Sequence, residues 1–124
     1  MRKLITQSLS VLATVAITSL SAAQLASARP DRAATTTTVQ VKGGEFFFRL
    51  STKSVARPEK VMFVFKNIGH VAHDFKINGK ATPLITPGRT AKILVTFKKK
   101  GKYNYLCTVP GHAAAGMKGT FIVR

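Results

Sequence analysis

The stretch YLCTVPGHAAAGMKGTF, Tyr105–Phe121, holds the one cysteine of the chain, Cys107, followed by His112 and then Met117 at steps of five residues. A thiol, an imidazole and a thioether thus follow one another through a run of small residues. Pro110, Gly111 and Gly116 force the backbone to turn between them. Taken singly, each has an ordinary role: a buried small hydrophobe, a loop histidine, a gap-filling methionine. Together they are the softest donors in the sequence, gathered where one loop can aim them at one point.

Cys107 stands in phase with Tyr103 and Tyr105, so a strand through these residues puts its sulfur on the same face as the two rings. The turn at Pro110-Gly111 then brings His112 and Met117 back toward the sulfur. Three donors on one loop need a fourth from elsewhere. NIGHVAHDF, residues 67–75, offers two candidates, His70 and His73. Two imidazoles, one thiolate and a weak thioether form the trigonal set with a long axial sulfur that suits copper cycling between two oxidation states. A structural zinc site accepts Cys and His but gains little from the thioether.

Outward from this loop, the sequence reads as strands. TVQVK alternates, Gly43-Gly44 breaks the run, and EFFFRL begins a second one. In VMFVFKN (61–67), Val61, Phe63 and Phe65 share a face; in TAKILVTF (90–97), Ala91, Ile93, Val95 and Phe97 do. HDFKIN (73–78) leads to a turn at Asn78-Gly79, KYNYLC and GTFIVR close the chain, and KKKGK (98–102) reads as a hairpin tip with Gly101 at positive φ. The pattern predicts an all-β Greek-key sandwich of about seven or eight strands.

Residues 1–28 carry a secretory signal: Arg2 and Lys3, an apolar stretch diluted by Ser and Thr, and Ala26-Ser27-Ala28 as a cleavage site. The alternative is an uncleaved N-terminal anchor, for which the stretch is weakly hydrophobic. Residues 29–38 read as a flexible leader and residues 39–124 as one copper-binding domain, exported to the periplasm or the cell exterior. Without Arg2 and Lys3 the chain keeps 18 basic residues against 4 acidic ones. That excess calls for an acidic protein partner, with an anionic membrane surface as the other possible contact. Export and the scatter of the basic residues along strands speak against nucleic acid, and a monomer is expected. With so few carboxylates, no acid–base pair is expected beside the donors.

The segment from Val61 to Val123 resembles the cupredoxins, the small blue copper proteins of the plastocyanin/azurin group. The resemblance rests on N-x-G-x-x-x-H-D-F at Asn67–Phe75 and Y-x-C-x-x-P-G-H-x-x-x-G-M at Tyr105–Met117. The C-x4-H-x4-M spacing is closest to rusticyanin- and sulfocyanin-like members, and there is no second cysteine for the disulfide of the azurin branch. The resemblance implies one type 1 copper ion bound by His73, Cys107, His112 and Met117, with His70 left as a loop residue. Asp74 takes the place of the family residue, often Asn, that ties the two ligand loops together, here to the backbone or hydroxyl of Thr108. It also implies one-electron transfer through the edge of His112, within an apolar patch expected from Pro110, Gly111, Ala113–Ala115 and the TPLITPG loop. With all four ligand positions filled and no open site for a substrate, an enzyme is not expected. A chaperone or storage protein for copper is the other reading, but the chain past residue 28 keeps only Met62 and Met117 where such proteins use many exposed Met and His.

Overall fold

The computed structural model describes residues 35–124; the expected signal segment and most of the expected leader lie outside the described residues. Nine strands are present among them: β1 (Thr37–Gly44), β2 (Phe47–Leu50), β3 (Ser54–Val55), β4 (Lys60–Asn67), β5 (Lys76–Ile77), β6 (Lys80–Ala81), β7 (Thr90–Thr96), β8 (Gly101–Leu106) and β9 (Lys118–Val123). They form two sheets, in the orders β2-β1-β4-β7 and β3-β9-β8-β5-β6. β1 runs parallel to β4 and β3 parallel to β9; the other pairs are antiparallel. The all-β sandwich expected from the alternation is the observed fold. No helix among the described residues is long and apolar enough to cross a membrane.

Alternation fills the space between the sheets. Val39 and Val41 of β1, Val61, Phe63 and Phe65 of β4, and Val95 of β7 face inward from one sheet. Ile77, Tyr105, Phe121 and Val123 face them from the other, all essentially buried. The rings meet edge to face and tilted. Phe63 contacts Phe75, Phe97 and Phe121 at centroid distances of 5.3, 6.3 and 5.3 Å. Phe75 also contacts Phe48, Phe65 and Tyr105. Such pairs add attraction beyond the area they bury.

Four local expectations are corrected. Gly43 and Gly44 continue β1 and pair with Phe48 and Phe47. At Gly43 a Cβ would lie 2.7 Å from the Phe65 ring, so the glycine lets an aromatic ring lie against the strand. β1 begins at Thr37, two residues ahead of the boundary read at Val39, because Thr37 pairs with Val61 and its hydroxyl donates to Glu59. HDFKIN keeps only Lys76–Ile77 as strand, while His73 makes an isolated bridge with Ile85. KKKGK is not a hairpin tip: β7 pairs with β4 and β8 with β5 and β9, so the lysines carry the chain from one sheet to the other. Local sequence shows where a chain turns; which sheet receives the next strand is decided by long-range pairing. The turn at Asn78-Gly79 does close a two-residue hairpin, with φ of 48° and 74°.

Truncating one fully buried ring of this cluster measures the core. Phe63→Ala should destabilise the metal-free protein by about 3–5 kcal/mol in a denaturant titration.

Candidate metal centre

The donors sit at one end of the sandwich, on the connection that crosses from β4 to β5 and on the loop that joins β8 to its sheet neighbour β9. His73 is fully buried. Its amide donates to the Ile85 carbonyl at 3.1 Å and its carbonyl accepts from the Ile85 amide at 2.9 Å. Asn67, also fully buried, ties the same region together. Its Nδ2 donates to the carbonyls of Val71 and Ile85, both at 2.8 Å, and its Oδ1 accepts from the Gly69 amide at 2.9 Å. With its whole side chain paired, Asn67 holds the 67–73 loop against the 85–89 loop.

The second connection follows β8. Cys107 donates its amide to the Met117 carbonyl at 3.1 Å, and the Met117 amide donates to the His112 carbonyl at 3.0 Å. The loop is therefore closed on itself by its own backbone, with Gly111 and Gly116 at φ of 84° and 121°. Asp74 joins the two connections. Its Oδ1 accepts from the Thr108 amide at 2.6 Å, and its Oδ2 from the Thr108 hydroxyl.

These frames bring three donor atoms together across the sequence. Nδ1 of His73 lies 3.0 Å from Nδ1 of His112, and Sγ of Cys107 lies 3.9 and 3.6 Å from the two nitrogens. No other group of three or more His, Cys, Asp or Glu donors converges in this way among the described residues. A point about 2 Å from all three atoms exists in their plane, the length of a metal–imidazole bond and somewhat short for metal–sulfur. The donors thus fit an ion with little movement. Met117 is fully buried on the same closed loop. His70 stands apart, its side chain 95% exposed.

Glu45 was missed in the sequence. Its Oε1 lies 2.9 Å from Nε2 of His73, the ring nitrogen facing away from the cluster. The Val71 amide, the His73 ring and the His70 amide hold the Glu45 carboxyl well below the usual carboxylate range. The expectation of no acid–base pair beside the donors is thus corrected: Glu45, set against the His73 ring, arrives from the β1–β2 turn, 28 residues before His73. Its neighbour Phe46 packs edge-on against the His112 ring at 5.0 Å. Exposed apolar side chains gather nearby: Phe46 itself, Val71 beside Glu45, and Leu84, 59% exposed, next to Ile85. Leu84 lies in the TPLITPG loop where an apolar patch was expected; Phe46 and Val71 were not foreseen in it.

A buried thiol and two imidazoles converging at the end of a β-sandwich define a mononuclear site for a soft metal ion. Residues 33–124 match the family model described as copper binding proteins, plastocyanin/azurin family, and the chain belongs to that family. The copper-resistant cuproprotein CopI of Rubrivivax gelatinosus is 29% identical over 98 aligned residues, covering 62% of this chain. The match spans 59% of that relative's length. The dithionite-reduced auracyanin of Roseiflexus castenholzii superposes with a TM-score of 0.61 at 25% identity, covering 73% of this chain and 98% of that one. The copper nitrite reductase of Nitrosomonas europaea shares the fold, with a TM-score of 0.59 at 21% identity over 72% of this chain and 41% of its own. The cofactor of this family is copper, and the three converging donors are of the kinds copper takes.

Burial pushes the Cys107 thiol above its ordinary value, against a smaller opposite pull from the amides of Asp74 and Val109. A raised value means less thiolate at any given pH. Metal-free Cys107 should therefore alkylate with iodoacetamide far more slowly than free cysteine at pH 8. Its rate should climb about tenfold per pH unit beyond the point where free cysteine levels off.

Proposed function

We propose that this protein is an exported one-electron carrier holding a single type 1 copper ion through His73, Cys107, His112 and the axial Met117. The observation that carries the reading is the donor triangle, three soft or borderline donor atoms 3.0–3.9 Å apart within a frame of closed backbone hydrogen bonds. When bound, copper supplies a Cu(II)/Cu(I) couple whose two states favour different donors, so a fixed compromise geometry keeps the exchange cheap in reorganisation.

The chain's own residues account for the rest. Asp74 and Asn67 fix the two donor segments so that they do not rearrange between states. Burial of His73, Cys107 and Met117 keeps water from the donors. His112 is only half-buried and lies beside the exposed Phe46, which makes it the route outward. An apolar contact of this kind, on a chain whose described lysines are all exposed, suits brief docking with an acidic redox protein. The relatives named for copper resistance favour a second reading, copper handling in the same compartment. The buried donors favour retention of the ion over its release, and so the carrier.

The first measurement is the visible and electron paramagnetic resonance spectrum of the Cu(II)-loaded protein. An intense thiolate-to-copper band with narrow hyperfine splitting supports the carrier. Tight Cu(I) binding without that band supports copper handling. Cys107→Ser should abolish the band while leaving the β-sheet circular dichroism unchanged. Met117→Leu should keep the band and raise the reduction potential, because the lost thioether favours Cu(II).

A further inference from the structure

In a chain with 20 basic residues and 4 acidic ones, the placement of each carboxylate is informative. Three acids fall among the described residues, Glu45, Glu59 and Asp74, and two of them bear on the donor cluster. Asp74 joins the donor segments. Glu45 does something different, and its seat is built in detail. Oε1 accepts from the His70 amide at 2.7 Å and from the Val71 amide at 3.0 Å, and lies 2.9 Å from Nε2 of His73. Oε2 faces Nδ1 of His70 at 3.3 Å. A Cβ on Gly69 would come within 2.8 Å of the Glu45 carboxyl carbon, so the glycine clears the space the carboxylate occupies. The next residue, Phe46, packs on His112, and a Cβ on Gly116 would lie 3.1 Å from the Phe46 carbonyl oxygen. The β1–β2 turn therefore bears on both histidines of the cluster at once.

We propose that Glu45 is the positioning residue of this centre. Its carboxylate takes the outer nitrogen of His73, so that the ring presents its Nδ1 lone pair to the cluster, and its negative charge favours the oxidised, more positive state of the bound ion. An ionised carboxylate only accepts hydrogen bonds, so Nε2 of His73 is the donor and Nδ1 is left free of its proton. Partners on the outer nitrogen of a metal-binding histidine fix its tautomer and ring plane and raise its basicity. A backbone carbonyl there would fix the tautomer alone; the carboxylate adds charge. Two loop amides and the Gly69 clearance hold that charge in place.

The redox part of this inference rests on the copper reading above; the tautomer part does not. Three forms of the protein decide both: wild type, Glu45→Gln and Glu45→Ala. Long-range 1H–15N spectra of the metal-free proteins at pH 8 should show His73 as the Nε2–H tautomer in wild type and in Glu45→Gln, whose amide oxygen still accepts. Glu45→Ala should lose that single tautomer while its amide spectrum stays folded. In the copper-loaded proteins, Glu45→Gln should keep the visible band but lower the ratio of Cu(II) to Cu(I) affinity by about tenfold, a rise of about 59 mV in potential. Glu45→Ala should bind copper about 10–100-fold more weakly. An unchanged His73 tautomer in folded Glu45→Ala overturns the positioning role, as does a different tautomer in wild type. A Glu45→Gln potential equal to wild type overturns the charge role. If Glu45→Ala does not fold, the wild-type tautomer and the Glu45→Gln potential still decide. If wild type shows no thiolate-to-copper band, the carrier reading falls while the metal-free spectra still judge Glu45.

Discussion

Phe75 is where the hydrophobic core and the donor cluster meet. Its ring is fully buried against Phe48, Phe63, Phe65 and Tyr105, so it draws on side chains from both sheets. Extended backbone puts residues of equal parity on one side, and His73, two positions earlier, is buried with it. Asp74, between them, points the other way and reaches Thr108. Three consecutive residues thus anchor the core, bridge the loops and present an imidazole. Burial of the aromatic ring, worth a few kcal/mol, fixes the register of the other two.

The cluster draws its rigidity from outside itself. Neither donor segment is a long strand where it carries its donors; His73 makes a single bridge, and the loop after Cys107 is a series of turns. Backbone bonds to Ile85, the Asn67 side chain, the closed Cys107–Met117 loop and the Asp74–Thr108 contact together do what ladder hydrogen bonds do elsewhere. Since buried polar groups are costly when unpaired, the full pairing of Asn67 resists any displacement of the 67–73 loop. A metal site that changes oxidation state gains from such stiffness, because donors that stay in place leave little to reorganise.

Electrostatics divides the molecule in two. The described lysines lie exposed, and two of the three described carboxylates, Glu45 and Asp74, stand at the metal end. Held ionised by loop amides and the His73 ring, Glu45 places negative charge beside the soft-donor cluster of an otherwise cationic protein. The apolar side chains Phe46, Val71 and Leu84 then interrupt the positive surface near His112. One end of the sandwich thereby combines the donor cluster, a fixed negative charge and an apolar surface.

Period-two alternation in β1, β4 and β7 and the Asn78-Gly79 turn were legible in the sequence, because each is set by neighbours a few residues away; the motifs also named His73, Cys107 and His112, which the structure brings together. The Asp74–Thr108 contact was legible too, through the family motif that spans both. The routing of Lys98–Lys102 between sheets was not, since a turn signal carries no information about which distant strand will pair with the next. Gly43-Gly44 read as a break because glycine weakens strands in general, whereas here the missing side chains admit the rings of Phe65, Phe48 and Phe47. Glu45 lay hidden for the same reason. It sits in a turn beside a glycine pair, and only the packing of β1 against β4 brings that turn to the 67–73 loop, where Gly69 leaves room for its carboxylate. Local patterning determined which residues could bind; long-range packing decided which of the remaining residues hold them.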